Sequence, residues 1–205
     1  MNYVQPVEAL IPGVQGRVLA ALTRTEAEMT IRTVARLADV SPQQASVVIA
    51  GLVSQGIVSR REAGSSALVC LDRENEAARV VIALSRLRES VTGRLCEFAH
   101  AISPPPESLI VFGSFARSET IATSDLDVLA IRAKGVPADD NDWIDSLGAW
   151  ERVARRIAGN PVNMMVVSAD EVPALLRRRS GPWRTIASEG VVLVGRPLNA
   201  FTRVV

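Results

Sequence analysis

Two aspartates at alternate positions of a predicted strand are the residues of this chain best suited to chemistry. Asp125 and Asp127 stand in the stretch "SDLDVLAI". Because strand side chains point to alternate faces, both carboxylates lie on the same face. Aspartate is a poor strand former, and neighbouring carboxylates repel each other unless a cation lies between them. Good turn chemistry in "TSD" and an edge-strand position would also explain the pair, and for the aspartates alone that structural explanation is favoured.

A glycine–serine turn about a dozen residues earlier favours a functional explanation of the aspartate pair over the structural one. The apolar strand "LIVFGS" ends at Gly113 and Ser114, and a short helix is predicted to begin at the serine. Glycine lets the backbone approach a ligand closely, and the N–H groups at a helix N-terminus attract anions. Carboxylates beside a phosphate pocket are the oxygen ligands that Mg²⁺ prefers. The combined pattern favours a site for magnesium and a nucleotide.

The stretch "GSFARSETIATSDLDVLAI" resembles the signature of the polymerase-beta-like nucleotidyltransferases. It is most similar to their minimal branch, which includes antibiotic and antitoxin-type nucleotidyltransferases, and the resemblance covers about residues 105 to 195. It implies that Gly113 and Ser114 hold the triphosphate of an NTP. It also implies that Asp125 and Asp127 hold magnesium.

The chain departs from this family at the third carboxylate, which binds the catalytic metal and helps to deprotonate the attacking hydroxyl. The matching strand is "NPVNMMVVSA", and the matching position is Asn163. An amide oxygen can bind a metal, but it cannot accept a proton at neutral pH. Asp170 and Glu171 are expected past the strand end, as weak substitutes. Ser118 replaces the family's usual glycine after the Ala-Arg pair, whose Arg117 is a candidate nucleotide-binding residue. Nucleotide binding is therefore favoured over transfer.

The first half of the chain has a different pattern, separated from the second by the proline run "SPPPE" at 103–107. Three helical segments are followed by a predicted hairpin, "IVSRRE" and "SALVCLD". Thr30 and Ser41 are expected helix N-caps, and Gly56 is expected to end the third helix. Over about residues 12 to 72 this order resembles the winged helix-turn-helix domains of bacterial transcription regulators.

That resemblance implies contacts with double-stranded DNA. The second helix of the motif enters the major groove and the wing touches the backbone. The expected DNA-binding residues are Gln43, Gln44 and Ser46 for bases, and Arg32, Arg36, Arg60 and Arg61 for phosphates. Glutamine can pair bidentately with adenine, but the recognition helix has no arginine or lysine. The alternatives are a solvated hairpin tip at the wing arginines and a motif that contacts protein.

A long helical stretch from 74 to about 102 joins the two halves. Its apolar residues recur at steps of three and four: Val80, Leu84, Leu87, Val91, Leu95, Phe98 and Ile102. The stripe is expected either to pack onto a flanking domain or to form a dimer seam. His100 has no partner motif and is expected to be structural.

The predicted fold class is α+β. The expected organisation is a winged helix-turn-helix domain at 1–73, a linker or dimerisation helix at 74–102, and a nucleotidyltransferase fold with a small mixed sheet at 103–205. The basic run "LLRRRS" at 175–180 is expected to be a solvated helix end or, alternatively, to line a cleft for an anion.

The composition is typical of a globular protein, and the net charge is close to zero. The 205 residues carry a net charge of +1, so binding to nucleic acid must come from a local patch. Cys70 and Cys96 lie far apart in apolar surroundings and are expected to be small buried hydrophobes in a reducing compartment. No signal peptide or membrane span is expected, and a cytoplasmic location is predicted.

Three functions remain open from the sequence. The first is a DNA-binding transcriptional regulator, expected as a homodimer, whose second domain binds an NTP with Mg²⁺ and transfers nucleotides weakly. The second is an active nucleotidyltransferase that modifies a protein or small molecule. The third is a dimeric interaction protein with a vestigial nucleotide site. Asn163 argues against the second, and the intact glycine–serine turn and aspartate pair argue against the third.

Overall fold

The computed structural model describes residues 1–64, 66–178 and 181–202. The chain divides into two compact units: one is Gln5–Leu87, and the other combines Met1–Val4 with Arg88–Val205. Each unit has its own sheet and its own apolar core. The predicted α+β class is confirmed.

The first unit combines a helical cluster with a small antiparallel sheet. Its helices are α1 (Pro6–Leu10), α2 (Val14–Thr23), α3 (Ile31–Leu37), α4 (Pro42–Ser54) and α5 (Glu76–Ser85), and its strands are β1 (Met29–Thr30), β2 (Val58–Ala63) and β3 (Ser66–Leu71). The strand order is β1-β3-β2. Strands β2 and β3 form the predicted hairpin, pairing from Val58 opposite Leu71 to Ala63 opposite Ser66.

Short side chains fix where α3 and α4 begin. The Thr30 hydroxyl accepts the N–H of Thr33 at 3.2 Å. Ser41 Oγ accepts the N–H of Gln44 at 3.1 Å, and Gln44 Oε1 accepts the N–H of Ser41 at 3.1 Å, which completes a capping box. After α4 the chain turns at Gly56, where φ is +70°. The predicted N-caps and the predicted end of the third helix are therefore confirmed.

The second unit is built on a mixed four-stranded sheet. Its strands are β4 (Ser108–Phe112), β5 (Leu126–Arg132), β6 (Val162–Ser168) and β7 (Val191–Gly195), and its helices are α6 (Leu87–Ala99), α7 (Gly113–Ala116), α8 (Asn141–Ala158), α9 (Val172–Arg177) and α10 (Trp183–Glu189), with a 3₁₀ turn at Leu198–Thr202. The strand order is β6-β5-β4-β7, and only the β5–β6 pair is parallel. Strand β4 is buried along its whole length, as its apolar sequence predicts.

The helical stretch between the two halves is broken at Arg86, between α5 and α6. Within the second unit, Val91, Leu95 and Ile102 are buried in the core, whereas Phe98 is 42 % exposed. Val80 on α5 is 66 % exposed. Three residues of the predicted stripe therefore pack within their own unit, and they are not available as a seam between two chains. The homodimer stays a prediction.

Tyr3 belongs to the second unit, although it precedes the winged helix in the sequence. Its hydroxyl donates to the carbonyl of Ala158 at 2.6 Å, and its ring meets Phe115 edge-on at 5.1 Å between centroids. Its backbone N–H donates to the carbonyl of Thr120 at 2.9 Å. Burial raises the pKa of Tyr3 to about 12. The first residues are thus anchored beside α7, and the expected domain 1–73 differs from the observed unit there.

Three further expectations concern single residues and the run at 175–180. Cys70 and Cys96 are free but half-buried rather than fully buried, and partial burial raises the pKa of both thiols. His100 is exposed. In the basic run, α9 ends at Arg177, and the last two positions lie outside the described residues. None of the helices in the described ranges is long and apolar enough to cross a membrane.

Candidate nucleotide site and nucleic-acid interface

Strand register brings the predicted site residues to one end of the sheet. Phe112, the last residue of β4, pairs with Asp127 on β5. In the parallel β5–β6 pair, Asp127 lies beside Asn163. Gly113 follows β4 directly and opens α7. The glycine–serine turn, the second aspartate and the asparagine therefore lie in one row across neighbouring strands.

The carboxylate of Asp127 lies directly against the backbone of Gly113. The glycine has a φ of +71°, a conformation that L side chains rarely adopt. A Cβ atom at this position would collide with Asp127 Oδ2. Only glycine allows this approach, so the turn and the carboxylate form one structural feature.

Asn163 occupies the position expected for a third carboxylate. Its side-chain Nδ2 donates to Asp127 Oδ1 at 2.9 Å. The candidate substitutes lie beyond the other end of β6: Asp170 pairs with Lys134 at 3.5 Å, and Glu171 accepts the N–H of Ser168 at 2.8 Å. The described carboxylates of this segment therefore do not take the place of Asn163.

Asp125 precedes β5 by one residue and is exposed. The loop before it is held by Asn160, which is 2 % exposed. Asn160 Nδ2 donates to the carbonyls of Ser124 at 2.8 Å and Ile121 at 3.2 Å. Sequence reasoning missed Asn160, because an asparagine between a helix-ending glycine and a proline has the composition of an ordinary turn.

The loop after the glycine–serine turn is stabilised by hydroxyl groups and an unusual backbone conformation. Ser114 Oγ and Thr120 Oγ1 are hydrogen-bonded at 3.1 Å, and Thr120 is 1 % exposed. Ser118 has a φ of +63°. Positive φ is costly for a residue with a side chain, which explains physically why the resembled family usually has glycine here.

Arg117 already has two acidic partners. Its Nε donates to Glu119 at 2.8 Å, and its Nη1 lies 3.5 Å from Glu189 at the end of α10. The hydrogen bond to Glu119 and the nearby charges raise the pKa of Arg117 above its ordinary value. A phosphate would have to compete with both carboxylates for this guanidinium. Glu189 was not predicted, because it lies 72 residues further along the chain.

The donor set suits a hard cation that is shared with a ligand. Asp125 lies just before β5 and is exposed, and Asp127, two residues later on the strand, is half-buried. Within the described ranges, no group of three or more His, Cys, Asp or Glu is arranged to hold a metal. Mg²⁺ commonly uses one or two carboxylates and completes its shell with phosphate oxygens and water. The two carboxylates therefore fit magnesium bound together with a nucleotide.

The arginines predicted to contact DNA differ in their pairing. On the wing, Arg60 pairs with Glu62 at 2.8 Å, and Arg61 donates twice to Glu28. On α3, Arg32 and Arg36 are exposed and take part in none of the salt bridges of the described residues. The two arginines of α3 are thus outside the ion pairs of the described residues, whereas the charges of the two wing arginines are partly neutralised.

The predicted base-contacting residues Gln43, Gln44 and Ser46 all lie in the first half of α4 and are exposed. The Gln44 side chain accepts the N–H of Ser41 in the capping box. Its amide is therefore partly committed to the helix start, whereas Gln43 and Ser46 make none of the side-chain hydrogen bonds found in the described ranges.

Comparison with protein families finds two matches in the chain, which overlap over residues 61–66. Residues 11–66 match the model of the MarR family, and residues 61–161 match the model described as "Putative nucleotidyltransferase DUF294". No curated protein and no solved structure matches the chain. The second match includes the glycine–serine turn and both aspartates, and it ends two residues before Asn163. The protein thus contains an N-terminal region similar to the MarR family, followed by a region similar to a nucleotidyltransferase. The sequence predicted this fusion of a winged helix with a nucleotidyltransferase fold.

Proposed function

We propose that this protein is a transcriptional regulator whose second domain binds an NTP together with Mg²⁺ and transfers the nucleotide weakly. The observation that carries the proposal is the packing of the Asp127 carboxylate against Gly113, with Asp125 exposed two residues earlier, just before β5. This packing supports a metal position beside the turn, whose backbone N–H groups would bind phosphate in the proposed site.

Each residue of the site has a distinct proposed role. Gly113 and Ser114 bind the triphosphate through the turn and the serine hydroxyl. Asp125 and Asp127 hold Mg²⁺, which when bound neutralises phosphate charge and polarises the oxygens that it contacts. Arg117 binds phosphate only after exchanging Glu119 or Glu189 for the ligand, since both carboxylates hold it in the free protein.

Weak transfer follows from the chemistry of Asn163. Its amide donates a hydrogen bond to Asp127 and cannot accept the proton of an attacking hydroxyl. General-base help is typically worth about a hundredfold or more in rate. Without a general base, the proposed site keeps the residues that bind NTP and Mg²⁺ but lacks the proton acceptor for transfer.

The regulatory half of the proposal rests on the MarR-type domain. Winged-helix domains place the second helix of the motif in the major groove of DNA, and here that helix is α4. Arg32 and Arg36 on the neighbouring helix are free to contact phosphate. Pairing of two chains on two half-sites is the expected mode of binding, and it is a prediction of the same proposal.

The nucleotide half is tested by calorimetry with the full chain. NTPs are titrated into the wild type in Mg²⁺ and in EDTA, and into Asp125→Asn and Asp127→Asn variants. The wild type is expected to bind more tightly in Mg²⁺, and both variants are expected to lose that difference. Asp139→Asn, at an exposed aspartate outside the site, is the matched control and should behave as the wild type. The absence of NTP binding by the wild type in either buffer would refute the proposal.

A further inference from the structure

The exposed face of α4 carries no charge. Its exposed residues are Pro42, Gln43, Gln44, Ser46, Val47, Ala50, Gly51 and Ser54. Helices on protein surfaces usually have charged outer faces. A helix of thirteen residues without any ionisable group therefore has a specific surface chemistry, which limits what it can recognise.

Val47 is the largest apolar group on this face, and its side chain does not serve the fold. It is 69 % exposed, whereas Ala45 and Ile49 of the same helix are buried at 0 % and 1 %. Valine is also a mediocre helix former, since its branched side chain loses rotamer freedom in a helix. Neither packing nor helix propensity explains a valine at this position.

Gln43, Val47 and Ala50 are spaced by four and three residues, so they share one side of the helix. Gln43 makes none of the side-chain hydrogen bonds found in the described part of the chain, and both its amide oxygen and its NH₂ group are available. Gln44 differs, because its oxygen accepts the N–H of Ser41. Of the two glutamines, Gln43 is therefore the one suited to pair with a base.

The chemistry of this face favours A·T base pairs over G·C base pairs, while Ser46 can contact either. In the major groove, guanine is usually contacted by arginine or lysine, and cytosine by aspartate or glutamate. Helix α4 has none of these four residue types. Glutamine pairs with adenine, and apolar side chains contact the methyl group of thymine.

We infer that α4 recognises A·T base pairs in the major groove, with Val47 against a thymine methyl group and Gln43 on adenine. The inference rests on the proposed DNA binding and adds the class of sequence that is bound. Arg32 and Arg36 provide affinity through phosphates, which carry no sequence information. Base selection then depends on the uncharged face.

The test begins with selection of preferred sites from randomised duplexes by the full-length protein, followed by fluorescence anisotropy. The selected cores are expected to be A·T-rich. Replacing core thymines by deoxyuridine removes only the methyl groups, and this should weaken binding by about fourfold per contacted methyl. The Val47→Ala variant should bind both duplexes alike. Val80→Ala is the matched control, since Val80 is exposed to a similar degree at 66 % but lies on α5. The Val80→Ala variant should retain the full difference in affinity between the thymine and the deoxyuridine duplexes.

The possible outcomes distinguish DNA binding itself from the recognition of A·T base pairs. If the protein binds no duplex at low salt, the proposed DNA binding is wrong and this inference falls with it. If the protein binds DNA but selects G·C cores, α4 does not recognise A·T pairs, whereas DNA binding stands. Equal affinity of the wild type for thymine and deoxyuridine duplexes also overturns the inference. A thymine preference that persists in Val47→Ala would remove the role assigned to Val47.

Discussion

Asn163 donates its side-chain amide to the carboxylate of Asp127 across two parallel strands, at 2.9 Å. The contact occupies one oxygen of the aspartate, while the other oxygen lies against Gly113. If Asn163 matches the family's third carboxylate, as the resemblance implies, a hydrogen-bond donor stands where that family has a proton acceptor. The proposed function therefore assigns binding of a metal–nucleotide complex to this site and expects only slow transfer from it.

Substitution of Gly113 by alanine tests the close approach of Asp127. The new Cβ would displace the carboxylate, and we expect Mg²⁺-dependent NTP binding to be lost in calorimetry. Gly135→Ala is the matched control, because Gly135 also has positive φ, at +85°, but nothing lies within 4 Å of its Cβ position. Both variants should lose about 1 kcal/mol of stability from backbone strain, and only Gly113→Ala should lose binding. Equal nucleotide affinity in the two variants would show that the approach is not needed.

Asn160 is expected to stabilise both the fold and the site, since its amide holds the loop before Asp125. Asn160→Ala leaves two carbonyls without their donor and should lower the free energy of unfolding by about 1–3 kcal/mol. NTP affinity in Mg²⁺ should fall as well. Asn141→Ala, at the exposed first residue of α8, should change stability by no more than about 0.5 kcal/mol. Chemical denaturation of both variants measures the difference, and indistinguishable curves would contradict the assigned role.

Titration of Tyr3 tests the position of the N-terminal residues in the second unit. Tyr3 is the only tyrosine, with a count of 1, so ultraviolet absorbance of phenolate reports on it alone. Burial should raise its pKa to about 12. The folded state favours the neutral phenol of Tyr3. The contribution of Tyr3 to the free energy of unfolding is therefore complete below its ordinary pKa of about 10 and is lost as the pH rises toward its pKa in the folded protein. An ordinary pKa in the folded protein would show that Tyr3 is exposed. Tyr3→Phe should remove this part of the pH dependence of stability.

The ion pairs of the wing are expected to restrain DNA binding. Glu28→Gln and Glu62→Gln release Arg61 and Arg60 from their carboxylate partners. Affinity for any duplex should rise, and the dependence of log K on log salt should steepen by about one unit for each arginine that then contacts phosphate. The control is Glu76→Gln, which releases Arg79 on α5 from a pair at 2.7 Å. If the wing variants and the control behave alike, the wing arginines do not contact DNA.

Short-range sequence patterns predicted where α3 and α4 begin and which strands carry Asp127 and Asn163. Thr30 and Ser41 cap helices through atoms three residues away, so the pattern is contained in a short stretch. The apolar runs indicated the strands that carry Asp127 and Asn163, and these two residues are neighbours in the parallel β5–β6 pair. A shared face for Asp125 and Asp127 stays a prediction. Each of these predictions depends on neighbours in the sequence or on one strand pairing.

Contacts between distant residues could not be predicted in this way. Tyr3 meets Ala158 across 155 positions, and Arg61 meets Glu28 across 33. No spacing rule connects such residues, because their proximity depends on how whole elements pack. For the same reason the carboxylate partner of Arg61 was not predicted: the sequence favoured a phosphate contact or a solvated hairpin tip, whereas the fold pairs it with Glu28.

The most direct test of the central claim compares nucleotide transfer by the wild type and by Asn163→Asp. Labelled NTP is supplied at saturating concentration with Mg²⁺, and incorporation into the protein itself and into candidate acceptors is measured. We predict that the wild type binds the nucleotide but transfers it slowly, and that the variant, which regains a proton acceptor beside Asp127, transfers it about a hundredfold faster or more. Robust transfer by the wild type, with no gain in the variant, would contradict the account and would identify the protein as an active nucleotidyltransferase with a different base.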